Sequence, residues 1–294
     1  MSNPSLFVIK ARRSRSAVIF RRGPSKQVLL LKWNLQDDTF ESGQWFKGRI
    51  YERRCDLSPD GDKLIYFAAN YRTFRGPPTW TAVSRPPYLK ALAMWPKGDA
   101  WGGGGLFEDD HTIQLNHQEG DDELAKGFAL GKGIRVKPFG EFTGSGEDDP
   151  LYHTRLIRDG WVLKQQAERT GYSHSGPMNW VFTQPEIYEK TLTRKGRKFA
   201  LQAQLQGIGE RGGLWYPIDH QILDEQSTPL ITLPRTSWAD WDQDGSLLFA
   251  EGGKLFRLEW TLDGGLNRVN EKELIDLSAT TFMAAPTPAV AAKW

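Results

Sequence analysis

Apolar residues along this chain come in short runs. Leu6-Phe7-Val8-Ile9, Ala17-Val18-Ile19-Phe20, Val28-Leu29-Leu30-Leu31 and Leu64 to Ala69 are each bounded by charged residues or by Gly, Pro and Asp. Trp80-Thr81-Ala82-Val83 and Thr112-Ile113-Gln114-Leu115 continue the series. Runs this short with turn-formers between them predict β-strands, and stretches with a helical period are few. Residues 184–192 and 271–277 are expected as short helical turns. No run approaches the roughly 20 apolar residues that cross a bilayer as a helix. Leu6 to Ile9 is also far short of the apolar region of a secretory signal, so no membrane association and a cytoplasmic location are expected.

The best-defined unit runs from Cys55 to Ala68. It reads as a strand, a tight turn at Ser58-Pro59-Asp60-Gly61, and a buried strand. Pro59 presets φ near −65°, and Asp60-Gly61 supplies the left-handed residue that closes the turn. Weaker copies follow at Trp95 to Asp99, Ile157 to Leu163, Thr193 to Leu201 and Asp240 to Ala250. Their turn glycines lie at 61, 98, 160, 196 and 245. With one degenerate copy in the longest gap, the mean period is about 37 residues, near that of a four-stranded propeller blade.

Ser58-Pro59-Asp60-Gly61-Asp62-Lys63-Leu64 resembles the "SPDG" signature of WD40-like repeats of the TolB type. The resemblance is good for this copy, fair at 240–250 and weak elsewhere. The Gly-His and Trp-Asp pairs of WD40 blades are missing. The resemblance implies an all-β fold, a single β-propeller of about five to six blades with irregular loop insertions at 117–127 and 143–150. It implies no catalytic residue, because the family uses the motif structurally. The first strand, Leu6 to Ile9, is expected to close the ring by pairing beside residues 254–260. Residues 1–278 would form the propeller, and the Ala- and Pro-rich residues 279–294 a disordered tail, a last strand or a tether.

Composition adds three points. Apolar residues make up 39% of the 294 positions and charged residues 25%, a balance that supports a packed core and not a disordered chain. One Cys excludes an intrachain disulfide framework and a cysteine-rich zinc module. The 12 Trp are scattered along the whole chain, as inter-sheet packing in a propeller requires. Charge is uneven. Residues 1–36 hold eight bases and no acid, which leaves the other residues at −6 against a whole-chain net charge of +2. Residues 108–123 carry seven acids and no Lys or Arg. The asymmetry reads as a basic contact surface, or as two patches that compensate each other in the fold.

Candidate chemistry is sparse. Gly144-Ser145-Gly146 is too short for a nucleophile elbow and reads as linker. Gly127 to Gly133 lacks the spacing of a phosphate loop. Trp101 followed by four glycines marks a close backbone approach, to a ligand or to a packed neighbour. His111 and His117 lie among the acids, but no HExxH motif or helical His pair is present, so no metal and no cofactor are expected. Cys55 reads as a buried, inert thiol. Arg12, Arg13, Arg15, Arg21 and Arg22, with Trp33 and Trp45, are the candidate binding face. Tyr172 and His174 form a second polar, aromatic loop. The first expectation is a non-enzymatic binding or scaffold module in a bacterial multi-protein complex, with a protein partner. A propeller hydrolase acting on a glycan is one alternative, since many five-bladed propellers are glycosidases. A nucleic-acid contact through the basic segment is the other.

Overall fold

The computed structural model describes residues 4–23, 26–71, 76–261 and 267–294. Nearly all regular structure is strand, gathered into five sheets among the described residues. The first contains β1 (Ser5–Lys10), β2 (Ser16–Arg22), β3 (Gln27–Asn34) and β4 (Thr39–Lys47), in that order. The second contains β5 (Arg49–Ile50), β6 (Asp56–Leu57), β7 (Leu64–Ala69), β8 (Thr79–Ser84) and β9 (Ala93–Lys97), with β5 and β6 both paired to β7. The third contains β10 (Gly105–Phe107), β11 (Thr112–Leu115) and β12 (Arg135–Pro138). The one α-helix among the described residues, α1 (Leu151–Arg158), comes next. The fourth sheet contains β13 (Val162–Gln165), β14 (Glu168–Tyr172), β15 (Met178–Arg194), β16 (Arg197–Glu210), β17 (Ile218–Leu223) and β18 (Pro229–Leu233). The fifth is the meander β19 (Trp238–Trp241), β20 (Leu247–Glu251), β21 (Lys254–Thr261) and β22 (Asn267–Asp276). The fold class is all-β, built from consecutive small sheets of the blade type that the propeller reading expects.

Burial follows the order of strands. In the fifth sheet β20 is buried at four of five positions, whereas β22 is charged and exposed from Asn270 to Glu273. β2 and β3 in the first sheet are buried on both faces, and β4 is mostly open. Inner strands therefore read as continuous apolar runs, and outer strands as mixed sequence.

The chain divides into two compact units, residues 8–155 with 281–294, and residues 156–280 with 1–7. In the second of these Trp161, Trp241 and Trp260 share one core with Phe199 and Phe249. The Phe199 and Trp260 rings meet edge to face at 4.7 Å. In the first, Trp95 packs with Ile65, Phe107 and Ile113. Trp33, Trp95, Trp161, Trp241 and Trp260 are buried, whereas Trp101 and Trp215 are exposed, so the packing role expected of the scattered Trp holds for part of them.

The SPDG segment forms the expected turn. Ser58 N–H donates to Lys63 O and Gly61 N–H to Ser58 O, while Asp56 pairs with Ile65 across it. Residues 242–245 repeat it, with Gly245 N–H donating to Asp242 O. Gly61 and Gly245 share a left-handed φ of 83° and 81°. The 193–201 copy is the β15–β16 hairpin.

Other expectations are corrected. Gly98 follows β9 at the junction to the third sheet, and Gly160 follows α1, so neither closes a hairpin. Residues 184–192 and 271–277 are not helical. They lie in β15 and β22, where cross-strand pairing overrides the helix-favouring Glu and Lys. β1 belongs to the sheet of β2, not beside 254–260, because β21 already has β20 and β22 on its two sides. Gly144-Ser145-Gly146 is a packed turn rather than a linker, with Gly144 N–H donating to Asn116 Oδ1 at 2.6 Å. Residues 281–294 join no sheet and are laid against the 8–155 unit, where Gln44 Nε2 donates to Ala285 O at 3.0 Å and Trp294 Nε1 to Ala129 O at 2.9 Å.

Candidate partner-binding face

The basic N-terminal segment lies against the acidic one. The loop between β1 and β2 carries Arg12, Arg13 and Arg15. Arg12 Nη2 donates to the carbonyls of Phe107 and Glu108 at 2.7 and 2.9 Å. Arg13 forms an ion pair with Asp110, and its backbone N–H donates to Pro59 O. Asp110 Oδ1 also accepts from Asp60 N–H at 2.9 Å, so one carboxylate ties the basic loop to the SPDG turn. Arg15 Nη2 donates to Leu35 O at 2.6 Å, and Arg22 pairs with Glu52 at 3.0 Å. An ion pair, Arg13 with Asp110, joins the two charged stretches, and Arg12 and Arg15 donate to carbonyl oxygens.

Two candidates on that face are interior. Trp33 is 0% exposed, with Nε1 donating to Asp38 Oδ1 and its ring stacked on Phe40. Arg21 is 2% exposed, donates to Gly23 O and sits over the Trp45 ring at 5.5 Å. Both lie in strands buried on both faces, so they are corrected from binding residues to core. A shallow depression of about 360 Å³ remains beside them, lined in part by Arg15, Lys32, Asn34 and Glu41.

The glycine run at 102–105 is a packing point. Arg54, buried, donates through Nη1 to Ala100 O and Gly102 O at 2.6 and 2.7 Å, and through Nε to Asp148 Oδ1. A Cβ on Gly104 would lie on the Arg54 carbonyl, and one on Gly103 on the Phe67 ring. The close approach foreseen from sequence is made to a neighbour in the fold.

The buried histidines are fully engaged. His117 Nδ1–H donates to Asp121 O at 2.8 Å, and Nε2 lies 2.7 Å from Thr81 Oγ1, which itself accepts from Gly104 N–H. Burial, then the cation of Lys97, depress its pKa despite the Asp121 carbonyl. It is neutral, and Thr81 donates to Nε2. His220 meets Thr236 Oγ1 at 2.6 Å, and burial lowers its pKa to about 3. No group of three His, Cys, Asp or Glu able to hold a metal occurs among the described residues. The Cys55 thiol is buried and lies 3.1 Å from Tyr51 O, and burial pushes its pKa up. The four buried carboxylates among the described residues are also engaged. Glu52 pairs with Arg22, Asp56 accepts from Phe107 N–H, Asp240 pairs with Lys190, and Asp242 pairs with Arg257.

Tyr172 and His174 stand elsewhere, on the open side of the fourth sheet. β13 and β14 pair successively with the same side of β15, at Val162↔Glu189 and Tyr172↔Trp180, making one interrupted edge. Every residue of β14 is exposed, Tyr172 by 50%. The Tyr172 ring meets His174 at 4.6 Å and Trp180 at 5.4 Å, both edge to face. The Arg169 guanidinium lies 5.9 Å from the Trp180 ring and 5.5 Å from Phe182. The structure therefore brings Tyr172 and His174 together and adds Trp180, Phe182 and Arg169, which sequence reading missed. The signal available was the alternation of Met178, Trp180 and Phe182 at a period of two. An aromatic cluster beside an open sheet edge presents apolar area and unpaired backbone groups together.

A scan of protein families and a search of curated proteins find nothing that matches the chain. Solved structures do match it. An uncharacterized protein of Listeria monocytogenes is 8% identical at a TM-score of 0.31, over 95% of this chain and 85% of that one. A GH43 protein of Bacillus licheniformis is 14% identical at a TM-score of 0.30, and all of this chain spans 58% of it. The β-propeller domain of the Trilobed protease from Pyrococcus furiosus is 11% identical at a TM-score of 0.28, over 95% of this chain and all of that one. Similarities at this level make no statement about activity.

Proposed function

We propose that this chain is a non-catalytic binding module of a cytoplasmic multi-protein complex, whose repeat is of the WD40-like type. It seats an extended segment of a protein partner along the β13–β14 edge, with Tyr172, Trp180 and Phe182 as the apolar anchors. The observation that carries the reading is the fully exposed edge strand β14 beside that aromatic cluster. An added strand takes its affinity from backbone hydrogen bonds and its specificity from side chains on alternate positions. Desolvated aromatic and Arg side chains supply most of the energy of such contacts. The basic loop has no part in this reading, because Arg12, Arg13 and Arg15 are turned to partners within the fold.

The glycan-hydrolase alternative needs two carboxylates facing each other across a pocket at about 5–10 Å. The buried carboxylates among the described residues, Glu52, Asp56, Asp240 and Asp242, are each held by a cation or a backbone N–H group. A panel of polysaccharides and aryl glycosides incubated with the purified protein separates the two readings. No product release is expected, and turnover abolished by a single Asp or Glu substitution would reverse the order of the readings.

A further inference from the structure

The depression of about 360 Å³ in the first sheet is formed by β2, β3 and β4, with Arg15 just ahead of β2. The register sets Ser16 opposite Asn34, Asn34 opposite Thr39, and Lys32 opposite Glu41. Residues paired across strands, and residues two apart on one strand, share a face of the sheet. Ser16, Lys32, Asn34, Thr39 and Glu41 therefore stand on the same face, and all five line the depression. Its volume is at the small end of the range that holds small molecules, about 300–1,000 Å³.

The fold answers these polar groups only in part. Lys32 and Glu41 are cross-strand neighbours of opposite charge, yet no ion pair closes between them. Lys32 Nζ turns to Asp62 at 4.0 Å, beyond hydrogen-bond distance. Glu41 Oε1 accepts from Tyr88 O–H at 3.1 Å. Asn34 Oδ1 accepts from Gln36 N–H at 3.1 Å, which leaves Nδ2 as a donor without a partner. Thr39 Oγ1 donates its proton to Asp37 Oδ1 at 2.7 Å, which leaves the oxygen able to accept. Ser16 Oγ, buried against Gly61, has no hydrogen-bond partner. Arg15 adds a second positive charge beside β2, with Nη2 held by Leu35 O.

Cations and donors thus gather on the β2–β3 side, and acceptors on β4. A simple anion held by Lys32 would be repelled by Glu41, and a simple cation held by Glu41 would be repelled by Lys32. A small molecule carrying both charges satisfies both sides. We propose that this depression binds a free α-amino acid as its zwitterion. The carboxylate accepts from Lys32 Nζ and Asn34 Nδ2. The ammonium donates to Glu41 and to Thr39 Oγ1, and the side chain fills the remaining volume. Charge-assisted hydrogen bonds at both ends supply the affinity. The site shares no residue with the β13–β14 edge, so its failure leaves that reading intact.

The test titrates the full chain with each of the common α-amino acids by isothermal calorimetry. At least one should bind saturably at one per chain. Its amide lacks the carboxylate and its N-acetyl derivative lacks the ammonium, and each should bind about tenfold or more weakly. Lys32→Met and Glu41→Gln should each weaken the amino acid by about tenfold or more, and Asn34→Ala by a smaller factor. Glu41 is exposed and Lys32 partly so, and thermal melts should place both variants with the wild type. Gln36→Ala, which leaves every proposed ligand in place, should bind as the wild type does. No binding by any amino acid, equal binding by the amide or the N-acetyl derivative, or unchanged affinity in folded Lys32→Met and Glu41→Gln would each overturn the proposal. Displacement of the amino acid by equimolar inorganic phosphate would do so too, since it marks a plain anion site.

Discussion

His220 and His117 are both buried and both neutral, and the sign of their pH effect follows from that. Burial lowers the folded-state pKa of His220 to about 3, below the ordinary 6.5. Between those values the unfolded chain takes up a proton that the folded chain refuses, so stability is whole above pH 6.5 and falls as the pH drops below it. At pH 5 this one residue should cost about 2 kcal/mol relative to pH 7.5. Urea unfolding at the two pH values measures it, with His220→Asn expected to flatten the dependence. A wild-type midpoint unchanged between them would show that this residue is not held neutral. Gly104 gives a second case at this scale. With φ at +84° and its missing Cβ directed at the Arg54 carbonyl, Gly104→Ala should lose about 2 kcal/mol or more. Denaturant melts check this, and an unaltered midpoint contradicts the close packing described. Neither effect could be read from sequence. The glycine run announced a close approach, but only the fold shows that Arg54 is the neighbour.

The two SPDG-like turns are the elements most legible in the sequence, because their geometry is set by residues next to one another. Each has a Gly at the left-handed position and a polar residue three before it, Ser58 in one and Asp242 in the other. Their side chains do different work. Ser58 Oγ accepts from Lys63 N–H, while Asp242 Oδ2 receives Arg257 Nη1 at 2.5 Å in a buried pair. Asp242→Ala takes the nearest carboxylate from that guanidinium, which keeps Ser246 Oγ at 2.8 Å and Asp244 at 3.6 Å, and should cost about 2 kcal/mol. Arg257→Met with Asp242→Ala should recover much of the loss, and a double-mutant cycle with no coupling would refute the pairing. Elements whose identity depends on distant partners were not legible. Residues 184–192 and 271–276 have helix-favouring composition and become strands because neighbouring strands hydrogen-bond them, β16 the first and β21 the second. α1 was missed for a different reason. At eight residues it is only about two turns long, too short for a helical period to stand out along the chain.

Across the whole molecule, charge and aromatic residues exchange the roles their distribution suggests. In the most basic stretch Arg12 and Arg15 donate to carbonyls and Arg13 pairs with Asp110, and Arg13, 65% exposed, gains little from a screened surface pair. The proposed recognition surface is instead the open edge of the fourth sheet, where Tyr172, Trp180 and Phe182 gather with Arg169. Half of that site was legible, since Tyr172 and His174 stand out as an aromatic loop. The other half depends on the register that sets Trp180 opposite Tyr172 and Phe182 opposite Arg169. The most direct measurement is a quantitative capture from the native host with the wild-type protein and a Tyr172→Ser, Trp180→Ser, Phe182→Ser variant, after melts confirm that both are folded. A partner that co-purifies stoichiometrically with the wild type, and is depleted at least about tenfold with the variant, is the result predicted. A partner retained equally by both, or none captured by either, would contradict it.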